Sequence, residues 1–166
     1  DGRSALLVAP TGTGKTMAGF LPSLIELSAP DAEDSLHTIY ISPLKALAVD
    51  IERNLAIPIR EMGLDIRAET RTGDTPQAKR KRQRENPPQV LMTTPESLEM
   101  MLTWPDAATI FKGVRRVVLD ELHALAGNKR GDLLSLSLSR LRRLAPGIRV
   151  VGLSATVANP DALRGW

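Results

Sequence analysis

Ala9-Pro10-Thr11-Gly12-Thr13-Gly14-Lys15-Thr16 is the stretch that decides the fold. It follows the apolar run Ala5-Leu6-Leu7-Val8 and opens an amphipathic segment that starts near Lys15. Strand, glycine-rich turn and helix, in that order, are the setting a phosphate-binding loop requires. Gly12 and Gly14 permit a tight loop whose backbone N–H groups face phosphate oxygens, and a helix N-terminus adds a favourable dipole. Thr11, Gly12, Thr13, Gly14, Lys15 and Thr16 are therefore the candidate nucleotide-binding residues. Lys15 has the reach for β- and γ-phosphates, and the Thr16 hydroxyl is a candidate Mg²⁺ ligand. The competing reading is a glycine-rich turn that binds nothing, and the Lys-Thr pair placed between strand and helix argues against it.

Outward from this loop, apolar runs alternate with longer amphipathic segments, the pattern of an α/β domain built on a mostly parallel sheet. The runs predict strands over Ser4–Ala9, His37–Ile41, Asp65–Thr70, Gln89–Thr93, Arg115–Asp120 and Ile148–Ser154. Helices are expected over Lys15–Leu27, Leu44–Met62, Thr75–Asn86, Pro95–Thr103 and Asp132–Leu144. Pro58 is expected to kink or end the second helix. Val117-Val118-Leu119 and Val150-Val151-Gly152-Leu153 are continuous apolar runs, as central strands buried on both faces require.

Arg116-Val117-Val118-Leu119-Asp120-Glu121-Leu122-His123 sets two carboxylates at the C-terminal end of such a strand, where open α/β sheets bind ligands. Lys15, Asp120 and Glu121 are the candidate catalytic residues. Asp120 suits a Mg²⁺ ligand, and Glu121 suits the group that orients and deprotonates water. Two adjacent acids also begin many solvated loops; the phosphate loop upstream favours the catalytic reading. His123, two residues on, is read as a coupling residue rather than a structural one.

The chain has 166 residues, which suits one domain. Its charge of +3, from 22 Lys plus Arg against 19 Asp plus Glu, is too small to identify a nucleic-acid binder by itself. There is no cysteine, which excludes disulfides and thiol chemistry and fits a cytoplasmic protein. No long apolar span or signal peptide stands out, so no membrane is expected. Asp1-Gly2-Arg3 lacks an initiator Met and Gly165-Trp166 stops abruptly, so the expectation is a fragment truncated at both ends.

These motifs resemble those of superfamily 2 helicases. Asp120-Glu121-Leu122-His123 looks like the DExH box, and Ser154-Ala155-Thr156 looks like motif III, which in the family couples ATP hydrolysis to nucleic-acid engagement. Pro43-Leu44-Lys45-Ala46-Leu47-Ala48 is similar to motif Ia, and Thr94-Pro95-Glu96-Ser97-Leu98 to motif Ib. Ala9 in place of the first loop glycine is common in that superfamily. The stretches Ile41–Asp50, Arg71-Thr72-Gly73-Asp74-Thr75, and Asp120–Leu125 followed by Lys129-Arg130-Gly131 resemble the large helicase-related (Lhr) group. Within it, the bacterial ligase-associated DNA helicases look most similar. The resemblance implies a RecA-like P-loop NTPase domain over 1–166, with helices on both faces of the sheet, as the first of two motor lobes. It implies ATP and Mg²⁺ as cofactors, single-stranded DNA as partner and a role in DNA repair. A second RecA-like lobe and C-terminal domains of the same chain are implied as further partners, with coupling through His123, Ser154, Ala155 and Thr156.

Three strand-to-helix junctions are candidate nucleic-acid contacts: Pro43, Lys45 and Ala46; Arg71, Thr72 and Gly73; and Thr94, Pro95 and Glu96. Loop amides and helix N-termini there bind backbone phosphates without reading sequence. Lys79-Arg80-Lys81-Arg82-Gln83-Arg84 is the densest charge and reads either as a strand-binding patch or as a solvated helix face. Trp104 either packs on the core or stacks on a base, with packing favoured, and Met100-Met101 is read as core filling. Three functions remain in play: a single-strand DNA translocase, an RNA helicase using the same chemistry, and a nucleotide-binding module without turnover. A small-molecule kinase lacks its lid arginines here. A guanine-reading NKxD motif fails at Asn128-Lys129-Arg130-Gly131, which has no Asp in fourth place.

Overall fold

The computed structural model describes residues 5–10, 14–125 and 127–155. Six strands, β1 (Ala5–Val8), β2 (Thr38–Ile41), β3 (Ala68–Arg71), β4 (Val90–Thr93), β5 (Arg116–Leu119) and β6 (Arg149–Ser154), form one sheet. Their order is β1-β6-β5-β2-β4-β3, and every neighbouring pair is parallel. All strands therefore end at the same edge. Seven helices connect them among the described residues: α1 (Lys15–Leu27), α2 (Lys45–Glu61), α3 (Gln77–Glu85), α4 (Pro95–Leu102), α5 (Ala107–Phe111), α6 (Leu122–Leu125) and α7 (Lys129–Leu144). None of them is long and apolar enough to cross a membrane.

Period-two alternation sorts the strand residues between two cores. Ile39, Ile41, Val117 and Leu119 face the layer of α4, α6 and α7, where Leu98, Leu125, Leu134 and Leu141 meet them. Tyr40, Val118, Val90 and Met92 face α1 and α2, where Phe20, Leu24, Ala48 and Leu55 pack. α1 lies close to the sheet because residue 19 is glycine. A Cβ there would stand 3.3 Å from Val118 Cγ1 and 3.4 Å from Leu153 Cδ2. α3 buries only Gln83 and belongs to neither core.

All six predicted strands are present. α1 has its expected bounds, and α2, α3 and α4 lie within those predicted for them. Three expectations need correction. Pro58 does not end α2, which runs one turn further to Glu61, and Met62 N–H bonds the Pro58 carbonyl at 3.0 Å. A proline this late in a helix removes one bond and leaves the last turn in place. α7 begins at Lys129 rather than Asp132, because the Asn128 side chain accepts from the Arg130 and Gly131 N–H groups and caps the helix. Met100 is 43% exposed while Met101 is buried, so only half of that pair fills the core.

β5 starts with a buried charge. Arg116 is 3% exposed, and its guanidinium bonds Glu26 Oε1 at 2.8 Å and Ser23 Oγ at 2.7 Å on α1. Burial works to raise the Glu26 carboxyl, but the Arg116 hydrogen bond and the charges of Arg116, His37 and Arg149 outweigh it and hold the group below its ordinary value of 4.5. Glu26→Gln is expected to cost about 1–3 kcal/mol, less than a fully buried pair because Glu26 is partly solvated. A depressed carboxyl gives stability that is complete above its unfolded pKa and lost as pH falls through the folded one. Urea unfolding of both proteins should therefore show the full difference at about pH 7 and a shrinking one as pH falls below about 4. An equal difference across that range would assign the effect to packing.

Candidate functional site

The sheet edge divides into two halves. β1, β6 and β5 are consecutive, with Val8 opposite Ser154 and Leu119 opposite Gly152. The phosphate loop after β1 and the acids after β5 thus flank the end of β6, two strand spacings or roughly 10 Å apart. That is the separation a triphosphate with its metal can bridge.

Gly14 takes φ 80°, a left-handed conformation that favours glycine, and its carbonyl accepts the first helical bond, from Ala18 N–H at 2.9 Å. Among the described residues nothing lies within 4 Å of where its Cβ would be. Lys15 Nζ folds back over the loop and donates to the Ala9 carbonyl and to the Pro10 carbonyl at 2.8 Å. Thr16 follows in the first turn of α1. Thr11, Gly12 and Thr13 lie outside the described residues.

Asp120 is 8% exposed, and its N–H bonds the Ile41 carbonyl at 2.8 Å. Its Oδ2 accepts a hydrogen bond from the Tyr40 hydroxyl. Burial, with the Asp120 charge, pushes the Tyr40 phenol far above its ordinary value, so the tyrosine is the donor. Glu121 takes φ 48°, the one non-glycine in the left-handed region among the described residues. Its Oε2 is 3.1 Å from His123 Nε2, and His123 Nδ1 is 3.1 Å from Ser154 Oγ. A carboxylate can only accept, so Nε2–H donates to Glu121, while Nδ1 pairs with the Ser154 hydroxyl. The acid after β5 is thereby joined to the end of β6 through one imidazole. Ala155 follows directly, and Thr156 lies outside the described residues.

The outer half of the edge, above β2, β4 and β3, holds a groove of about 730 Å³. Pro43, Lys45, Ala46, Gly73, Thr94 and Glu96 line it, so all three predicted junctions converge there. Lys45 Nζ lies 2.9 Å from both Asp74 carboxylate oxygens, which ties α2 to the turn after β3. Thr94 caps α4 by accepting from Ser97 N–H. Thr72 and Pro95 are buried at their junctions.

Arg71 departs from its predicted placing. It is 5% exposed, donates to the Arg80 carbonyl at 2.7 Å and lies 4.6 Å from the Trp104 ring centre. Burial, followed by the charges of Arg80 and Arg84, lowers its pKa to about 10. By strand alternation it points inward beneath α4, which leaves Gly73 as the residue of this junction that lines the groove. Arg84 approaches the same indole at 4.9 Å, and the ring packs on the core, so Trp104 serves the protein.

The basic run likewise serves the fold. Lys79 meets Glu52 at 3.5 Å, Lys81 meets Glu85 at 3.8 Å, Arg82 meets Glu69 at 2.8 Å and Arg84 meets Asp106 at 2.8 Å. Arg80 bonds the Thr75 and Gly73 carbonyls.

Four lining residues lie outside the predicted set, Leu44, Ser97, Met100 and Arg130, and two of them shape the groove most. Arg130, on α7, bonds Glu96 Oε1 at 2.6 Å and the Pro43 carbonyl at 2.8 Å, joining motif Ia to motif Ib. Burial works to raise the Glu96 carboxyl, and the Arg130 hydrogen bond and charge reverse this. Leu44, 57% exposed, adds an apolar wall between Pro43 and Lys45. Its exposure had no signal in the sequence, whereas the Lys129-Arg130-Gly131 stretch was visible without its partner.

Known proteins share this fold. A DEAD/DEAH box helicase model matches residues 1–163. The ATP-dependent helicase Lhr-Core of Methanothermobacter thermautotrophicus is 48% identical over 94% of this chain, which spans 20% of that protein. The Mycobacterium smegmatis helicase Lhr, solved with single-stranded DNA and AMP-PNP, superposes with a TM-score of 0.88 at 45% identity; 98% of this chain is covered, and 22% of that one. The helicase MrfA bound to DNA and AMPPNP gives 0.84 at 30% identity, over 98% of this chain and 23% of its own. The chain thus spans about a fifth of the length of these relatives. The fold is that of a RecA-like helicase domain, and the expected resemblance to the Lhr group is borne out. With the phosphate loop, the two acids and the groove on one sheet edge, the chain belongs to the DEAD/DEAH box helicase family.

Proposed function

We propose that this chain is the ATP-binding first motor lobe of an Lhr-type DNA helicase or translocase. The observation that carries the reading is the shared sheet edge. The proposed nucleotide half-site would lie over β1-β6-β5 and the proposed strand track in the groove over β2-β4-β3, with adjacent β5 and β2 joining them. Thr11 to Thr16 would hold the triphosphate, and Thr16 and Asp120 the Mg²⁺. The fit is chemical as well as spatial: Asp120 is an oxygen donor at the end of β5, two strands from the loop after β1, and among the described residues nothing crowds Gly14. Bound Mg²⁺ would neutralise charge on the β- and γ-phosphates. Glu121 would take the proton of the attacking water, and His123 with Ser154 would pass the state of that acid to β6. In the groove, Pro43, Lys45, Ala46, Gly73, Thr94 and Glu96 would follow a strand's backbone without reading bases.

The relatives solved with DNA favour DNA over RNA for this groove. The ligase-associated branch, DNA repair and a cytoplasmic location are part of the same proposal, as are a second lobe and C-terminal domains in the same polypeptide. By itself the chain is expected to bind nucleotide without turnover, because the charge supplied in trans accelerates phosphoryl transfer by about 10³–10⁵. The test compares ATPase rates of the full-length protein without nucleic acid, with single-stranded DNA and with RNA of matched length. Stimulation by DNA supports the proposal. Stimulation by RNA alone transfers it to an RNA helicase, and no stimulation by either defeats it.

A further inference from the structure

No motif covers Tyr40, which lies between the phosphate loop and motif Ia in the sequence. It sits third in β2, and its side chain is wholly buried. A buried phenylalanine would fill the same space without bringing a hydroxyl into the core. The hydroxyl here donates a hydrogen bond to Asp120 Oδ2. Phe20 stacks on the ring at 5.3 Å between centres and 25° between planes. Phe20 belongs to α1, one turn after Thr16. A continuous column therefore runs from the phosphate-loop helix through Phe20 and Tyr40 to Asp120. It runs along the sheet face where Gly19 lets α1 approach Val118 and Leu153.

The carboxylate of an aspartate turns easily about its last torsion. Among the described residues Tyr40 is the only side chain bonded to Asp120. We propose that Tyr40 is the positioning residue for the magnesium site: its hydroxyl fixes the plane of the Asp120 carboxylate, committing Oδ2 to the protein and leaving Oδ1 to the cation. Partners that orient a metal ligand in this way carry much of a site's affinity, typically 10–100-fold. The stacked Phe20 ties that orientation to the helix bearing Lys15 and Thr16. This rests on the nucleotide reading of the site.

Tyr40→Phe tests it, since the change keeps the ring, its volume and the stack while deleting one oxygen. Binding of a fluorescent ATP analogue to the full-length protein is titrated with Mg²⁺, and repeated in EDTA. The expected result is a rise of about tenfold in the Mg²⁺ concentration for half-saturation, with binding in EDTA unchanged. In an Asp120→Ala background the same substitution should add nothing, because the carboxylate that Tyr40 orients is already gone. A merely structural tyrosine would weaken binding equally with and without metal, or shift the melting temperature alone; either result overturns the proposal. An unchanged Mg²⁺ dependence in a well-folded variant also overturns it. If the parent protein binds no nucleotide under any condition, the nucleotide reading itself fails, and this inference with it.

Discussion

Glu121→Gln in the full-length protein is expected to lower nucleic-acid-stimulated ATP turnover by about 10²–10⁴, the usual contribution of a positioned general base. Nucleotide affinity should stay near that of the parent. The argument is one of shape against basicity. Glutamine keeps the length of the side chain and an oxygen that can accept from His123 Nε2, now 3.1 Å from Glu121. The contact from His123 to Ser154 also survives. What disappears is the ability to take a proton. Steady-state ATPase measurements, paired with binding of a fluorescent nucleotide, separate the two. A variant that turns over at the parent rate would move the general base to another residue.

Lys15→Ala should act earlier, on binding. Its ammonium donates to two loop carbonyls, those of Ala9 and Pro10, so the cation already sits over the loop that would receive phosphates. Exchanging those carbonyls for phosphate oxygens gives charge-assisted bonds worth about 1.5–3 kcal/mol each. Loss of two corresponds to a fall in ATP affinity of about 10²–10⁴. Thermal unfolding of the unliganded protein should hardly change, because the fold does not depend on a solvated ammonium. Undiminished ATP binding would remove Lys15 from the site.

The sequence made the sheet legible because its strands are short apolar runs separated by strong punctuation. The two small helices escaped for the opposite reason. α5 and α6 span five and four residues, too few for a helical period to show. Site residues followed the same divide. Lys15, Asp120 and Glu121 announce themselves through local motifs. Tyr40 and Arg130 act on partners 80 and 34 residues away, and nothing near them in the chain names those partners. Arg71 shows the reverse error. An arginine at a strand-to-helix junction suggests phosphate, yet position within the strand turns it toward Trp104. The basic run misleads in the same manner, since its carboxylate partners Glu52, Glu69 and Asp106 lie on other elements.

Glu121 lends the molecule a further property. For a side chain with a Cβ, a left-handed backbone costs about 1–2 kcal/mol relative to the right-handed form. Glycine or asparagine would rest there more easily, and neither could accept a proton from water. Folding energy is thus given up at the residue proposed to be the base. Surveys for stabilising substitutions in this domain would be drawn to position 121, and would gain a hardier protein by disarming it.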